Sequence, residues 1–148
     1  MNVKSLYIDP SALRGLYVHE PISRRMVAWR GKLKGPLAIT RFGHAELVNA
    51  IALGCFRGDF TEVEMTKSLA HVDEDFADGD LKLVDLLWRA ALDKSMALSR
   101  QHAPGLGTRS MDVLHVASAL ELGAKHFATY DQRQARLAKA CGLILIQP

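Results

Sequence analysis

The sequence predicts an α/β domain built on a parallel sheet covered on both faces, and two observations carry that prediction. The strand-like segments are short, continuous apolar runs rather than alternating ones, as in Leu6-Tyr7-Ile8, Leu37-Ala38-Ile39 and Leu143-Ile144-Leu145-Ile146, which is the pattern of strands buried on both sides. Between them lie stretches with apolar residues at three- and four-residue spacings and with helix stop signals, and strands that alternate with helices give parallel order. At 148 residues the chain is expected to form one domain over 1–148, burying about two thirds of its unfolded surface without a disulfide or structural metal.

Ser5-Leu6-Tyr7-Ile8 is the first strand, and Asp9-Pro10-Ser11 starts a helix, with Asp at the cap and Pro in the first turn. That helix is expected to reach His19, where Glu20-Pro21 breaks the chain. Residues 22 to 33 read as a second helix, stopped by Lys34-Gly35-Pro36, and Leu37-Ala38-Ile39-Thr40 as the second strand. From Arg41 a helix carries Ala45, Val48, Ala52 and Phe56 at helical spacing, with Thr40 as its cap and Gly54 or Gly58 near its end. Residues 59 to 76 form another helix, Leu81-Lys82-Leu83 a short strand, and residues 84 to 102 a long helix ended by Ala103-Pro104-Gly105-Leu106-Gly107. Residues 110 to 122 are apolar on most sides and predict a buried helix stopped by Gly123. Phe127-Ala128-Thr129 is then a strand, residues 132 to 140 a helix, and 143 to 146 a last buried strand.

An apolar share of 49% and a charged share of 24% fit a soluble globular chain, and no apolar run approaches the ~20 residues that span a bilayer. The opening residues lack the apolar core and small-residue cleavage site of a signal peptide, so the expected location is the cytoplasm. Cys55 and Cys141 stand far apart without ligand spacing, as free thiols in a reducing compartment do. A net charge of +3 permits attraction to a polyanion without identifying one.

In open α/β sheets ligands bind beyond the carboxyl ends of the strands, which makes the acidic residues informative. Asp9 and Asp131 follow directly on strands, Glu46 lies in an early turn of the helix after the second strand, and Asp112 opens the buried helix. Four carboxylates in one crevice repel unless protons or a divalent cation neutralise them. Oxygen-only ligation suits Mg²⁺ or Mn²⁺, which keep waters for a phosphate and a nucleophile, so the implied chemistry is phosphodiester hydrolysis. In that reading Asp9 and Asp112 hold the principal metal, while Glu46 and Asp131 position water or a second ion.

These residues resemble the PIN-domain nucleases, and more closely the VapC-like toxins of toxin–antitoxin pairs. Tyr7-Ile8-Asp9-Pro10-Ser11-Ala12-Leu13 with Leu16-Tyr17 and Glu20-Pro21 is similar to the family's first motif. Thr40 followed by Ala45-Glu46-Leu47-Val48-Asn49-Ala50 is similar to its second. The third runs from Arg109-Ser110-Met111-Asp112 through His115 and Ala117 to Leu120, and the fourth is Ala128-Thr129-Tyr130-Asp131-Gln132-Arg133. Pro10 departs from the small or polar residue more usual there, and the helix start accommodates it. The resemblance covers nearly the whole chain. It implies a PIN-like three-layer fold with a central parallel sheet of about five strands flanked by helices. It also implies Mg²⁺- or Mn²⁺-dependent cleavage of RNA, a homodimer, and inhibition by a small cognate antitoxin in the active-site groove.

Each residue has a plainer reading beside this one. Asp9 and Asp131 are also helix caps, and Glu46 and Asp112 are favoured by helix N-terminal dipoles, although an unpaired charge in the apolar helix of Asp112 is costly. Ser11 and Thr129 carry hydroxyls that orient a ligand or simply end a strand and start a helix. His115, one turn beyond Asp112, reads as a hydrogen-bonded structural histidine before a general base. Arg109 and Arg133 contact phosphate or are merely solvated. Arg24, Arg25, Arg30, Lys32 and Lys34 form a solvated face or an RNA path. Trp29, Phe76 and Trp88 read as core or dimer contacts rather than base-stacking platforms. Phosphoryl transfer through an aspartyl-phosphate is disfavoured, because it wants a second Asp where Ser11 stands, or an acidic pair where Ile8 precedes Asp9. The remaining alternative is a PIN-like module that binds RNA or protein without cleaving.

Overall fold

In a computed structural model that describes residues 3–148, the chain alternates strands and helices. The elements are β1 (Leu6–Ile8), α1 (Pro10–Leu13), α2 (Ser23–Arg30), β2 (Leu37–Thr40), α3 (Arg41–Phe56), α4 (Glu62–Asp78), β3 (Leu81–Val84), α5 (Trp88–Leu106), α6 (Ser110–Glu121), β4 (His126–Ala128), α7 (Gln132–Ala140) and β5 (Ile144–Ile146). Every strand pair is parallel: Tyr7 lies opposite Phe127, Phe127 opposite Leu145, and Leu37 opposite Leu81.

The expected single sheet of about five strands is divided. Three strands hydrogen-bond in the order β1-β4-β5, and β2 and β3 form a separate pair. β1 meets β2 through side chains: Leu6, Ile8, Leu37 and Ile39 belong to one core, and a cavity of ≈ 90 Å³ is lined by Leu6, Tyr7, Ala38 and Thr40 of the two strands. Side-chain packing thus stands in for a ladder between them.

Strand pleating sorts the apolar residues into two cores. Leu6 and Ile8 face a core with Leu13, Met26, Leu47, Ile51 and Val72 of α1 to α4, while Tyr7 and Phe127 face another with Val113, Val116 and Leu137 of α6 and α7. Helices therefore cover both faces, as the continuous apolar runs require. Full burial of side chains such as Leu13, Leu47, Ile51 and Phe127 stabilises the fold by about 1.5–3 kcal/mol each.

Several boundaries differ from the expectation, each for a local reason. The first helix passes into a 3-10 turn at Arg14–Leu16 instead of continuing to His19, because α2 packs on Gly15. A Cβ at Gly15 would come within 3.0 Å of Ile22 and 3.1 Å of Met26. α4 starts at Glu62 rather than at residue 59, since Thr61 caps it in a reciprocal bond with Glu64. Val84 ends β3 opposite Thr40 rather than starting a helix, and α5 continues through Pro104 to Leu106 before Gly107, at φ 64°, closes it. Pro104 has no N–H to donate, and it sits close to the helix end, where one missing bond interrupts little of the ladder.

The helically spaced apolar residues that mark α3 in the sequence are not its buried face. Leu47 and Ile51 are the buried residues, whereas Ala45 and Val48 are exposed and Phe56 is 88% exposed. β5 is likewise a half-exposed edge, with Ile144 56% exposed, not a buried strand.

Candidate active site

Parallel strands bring their carboxyl ends to one side, and β1 and β4 deliver the first two acids there. Register places Ile8 opposite Ala128, and the Asp9 backbone N–H donates to the Ala128 carbonyl at 3.1 Å. Asp9 caps α1, its Oδ1 accepting from the Ser11 hydroxyl at 2.8 Å and the Ala12 N–H at 3.3 Å. Asp131 caps α7, accepting from the Arg133 and Gln134 N–H groups at 2.8 and 3.1 Å. The capping and cleft readings of these residues thus hold together. Ser11 ties the two ends: its oxygen accepts from the Tyr130 and Asp131 N–H groups at 3.0 and 3.2 Å and lies 3.2 Å from the Thr129 hydroxyl. Thr129 in turn accepts from the Asp131 N–H at 3.0 Å. Asp9 is 1% exposed, and burial pushes its carboxyl above the ordinary value against the pull of His115, Ser11 and Thr129.

The helices bring the other two. Thr40 caps α3 by accepting from the Gly43 N–H at 2.9 Å, which sets the helix running past the strand ends with Glu46 beside them. Asp112 sits in the first turn of α6 and accepts from the Arg109 N–H at 3.0 Å. His115, one turn on and 1% exposed, hydrogen-bonds Glu46 through Nε2 and the Tyr7 hydroxyl through Nδ1 at 2.8 Å.

Asp9, Glu46, Asp112 and Asp131 all line one cleft of ≈ 670 Å³, with Ser11 on its wall and Thr129 behind it. Their oxygens are the groups that could hold a hard cation, although among the described residues no three acidic or histidine side chains converge on one ligating point. Sequence reasoning passed over Arg14 and Gln134 and gave no role to Asn49, although Asn49 stands in the second motif; all three are polar lining residues. Gln134 is 6% exposed and its Oε1 has no hydrogen-bond partner, whereas the Arg14 guanidinium pairs with Glu20 at 3.9 Å and Asp59 at 3.7 Å. Asn49 and Gln134 each follow a singled-out acid by three residues, one helical turn, which was the available signal. Arg30 leaves the basic stretch for Asp80, 3.1 Å away, whereas Arg25 lies 5.8 Å over the Tyr130 ring beside the cleft. No ion pair holds Arg109 or Arg133 among the described residues. Trp29 and Phe76 pack against the first core, and Trp88 meets Phe42 edge-on at 6.2 Å.

A second hollow, ≈ 390 Å³, opens where β2 and β3 begin, but its polar groups satisfy one another. Tyr17 donates to Asp75 at 2.6 Å and Arg30 pairs with Asp80. The acidic cleft at the strand ends is the stronger candidate.

The chain is 27% identical to Ribonuclease VapC46 of Mycobacterium tuberculosis over 149 aligned residues, covering 97% of this chain and 98% of that protein. Its fold is similar to the crystal structure of PAE2754 from Pyrobaculum aerophilum, with a TM-score of 0.63 at 20% identity, covering 97% of this chain and 90% of the other. The PIN domain model matches residues 6–140, which runs from the start of β1 to the end of α7. No helix among the described residues is long and apolar enough to cross a membrane. Since the match takes in both the strands that carry the acids and the helices that flank them, the chain belongs to the PIN-domain family.

Proposed function

We propose that this chain, acting as one domain over 1–148, is a Mg²⁺- or Mn²⁺-dependent endoribonuclease and the toxin of a toxin–antitoxin pair. The observation that carries the reading is the gathering of Asp9, Glu46, Asp112 and Asp131 around one cleft at the strand ends of a PIN fold. Similarity to a protein named a ribonuclease over nearly its whole length supports the same substrate class. The donor set fits the metal: it is all oxygen, it includes a buried Asp9 whose ionised form burial disfavours, and Mg²⁺ is held by one or two carboxylates together with its own waters. Asp9 and Asp112 would hold the ion, with Glu46 and Asp131 orienting water or a second one. A bound divalent ion supplies Lewis acidity, offsetting carboxylate charge and activating water for attack on phosphorus.

The chain's own residues then do the positioning. Ser11 and the α1 backbone fix the Asp9 carboxylate, Ser11 and Thr129 fix the turn that presents Asp131, and Arg14 is the cation that lines the cleft where a phosphate would lie. Arg25 beside Tyr130 extends a basic path toward α2 for single-stranded RNA. In this reading the protein works in the cytoplasm as a homodimer, and a small antitoxin inhibits it by occupying the cleft.

The test is cleavage of labelled single-stranded RNA by purified protein with Mg²⁺, Mn²⁺ or EDTA, beside Asp9→Asn. Cleavage that needs both metal and Asp9 is expected. Cleavage that persists in EDTA or in Asp9→Asn would overturn the metal-carboxylate reading, and RNA retained uncut would favour a binding module that does not cleave.

A further inference from the structure

Among the described residues, Glu46 is the one acid of the cleft whose carboxylate hydrogen-bonds a buried histidine, His115, beside the second core. Asp9, Asp112 and Asp131 take bonds from backbone N–H groups or from Ser11, so local helix geometry holds them. Glu46 extends from the middle of a helical turn on a flexible side chain, 32% exposed, and its carboxylate bonds to His115 Nε2. That imidazole is not free to turn. Its Nδ1 meets the Tyr7 hydroxyl at 2.8 Å, the Tyr7 ring lies edge-on with centroids 5.9 Å apart, and Phe42 lies against the other side at 5.0 Å.

The direction of the bonds follows from the chemistry of the groups. The Tyr7 phenol carries its proton at neutral pH and lies 2.8 Å from His115 Nδ1, so it is the donor of that bond. A phenol donating to Nδ1 leaves the imidazole proton on Nε2, and Nε2–H faces a carboxylate that accepts. The chain then runs Tyr7 O–H to Nδ1 and Nε2–H to Glu46 Oε2, leaving the second carboxylate oxygen for the cleft that Glu46 lines.

We infer that His115, locked by Tyr7, is a positioning residue that orients Glu46 for its ligand in the cleft. It resembles the hydrogen-bond partners that stand behind metal ligands, whose loss typically weakens metal affinity or activity by about 10–100-fold. This inference rests on the proposed metal-binding role of the cleft.

His115→Gln and His115→Asn discriminate the role from mere core filling. Both remove the ring, but Gln places an amide N–H near the Nε2 position and Asn reaches only the Nδ1 side. Mn²⁺ binding by electron paramagnetic resonance, read beside thermal melting and RNA cleavage, is expected to stay near wild type in His115→Gln. In His115→Asn it is expected to weaken about 10–100-fold, with no further loss when His115→Asn is added to Glu46→Gln. Equal Mn²⁺ affinity in both His115 variants, or an additive loss on the Glu46→Gln background, overturns the inference. Should His115→Asn fail to fold, Tyr7→Phe removes only the outer oxygen, and unchanged Mn²⁺ affinity and an unchanged imidazole ¹⁵N tautomer signature in that variant would overturn it. Wild-type protein that binds no Mn²⁺ removes the metal reading itself, whereas wild-type binding undisturbed by His115→Asn removes only the positioning role.

Discussion

Asp9 illustrates how a cleft residue sets its own cost. Its carboxyl is buried, and burial raises it above the ordinary value of 3.8, with His115, Ser11 and Thr129 opposing. In the unfolded chain this carboxyl ionises first, so the stability contributed by its protonated form is complete below pH 3.8 and is lost as pH rises through the higher folded value. Ionising Asp9 in the metal-free fold buries a charge and so costs stability. Asp9→Asn removes that charge and keeps a good helix cap. In EDTA at pH 7 it is expected to melt about 2–4 °C higher, roughly 1 kcal/mol for a chain of this size, while RNA cleavage is lost. A lower melting temperature in a calorimetric scan would show that the carboxylate is a net stabiliser.

At the scale of elements, α3 separates two faces that its sequence makes hard to tell apart. Ala45, Val48, Ala52 and Phe56 recur at helical spacing, and so do Gly43, Leu47, Ile51 and Gly54. The helix buries the second set because its glycines allow close approach: a Cβ at Gly54 would fall 2.5 Å from the Phe60 ring and one at Gly43 would fall 3.0 Å from Ile39. Turning the helix this way also puts Glu46 toward His115 and the cleft. Leu47→Ala is therefore expected to cost about 2–5 kcal/mol in urea unfolding, and Phe56→Ala to stay within about 0.5 kcal/mol. Comparable losses for the two would reverse the assignment of faces.

For the whole molecule, a modest net charge of +3 conceals a division. Carboxylates line the cleft at the strand ends, while exposed Arg24 and Arg25 stand on α2, with Arg25 reaching Tyr130 next to Asp131. Under the proposed function, such an arrangement is expected to draw a polyanion across the cleft instead of toward the acids themselves. Single-stranded RNA bound to the Asp9→Asn protein is expected to dissociate with rising salt. Arg25→Ala should weaken binding across all sequences and lower the salt slope by about 1. A slope unchanged in fluorescence anisotropy titrations at several salt concentrations would take Arg25 off the RNA path.

The sequence by itself determined the α/β class, the parallel order and the four acids, because continuous apolar runs and carboxylates at strand ends are local patterns. It also placed Ser11 and Thr129 near those acids, since turns and caps are set by neighbours in the chain. Only the tertiary structure decided which face of α3 is buried, the break between β1-β4-β5 and β2-β3, and the edge position of β5. It alone brought Arg14, Asn49 and Gln134 to the cleft wall and joined Tyr7, His115 and Glu46. Those outcomes depend on contacts between residues far apart in sequence: Tyr7 and His115 are 108 positions apart, and Glu46 and His115 are 69. Periodicity within one segment carries no information about such partners, and packing between segments supplies it.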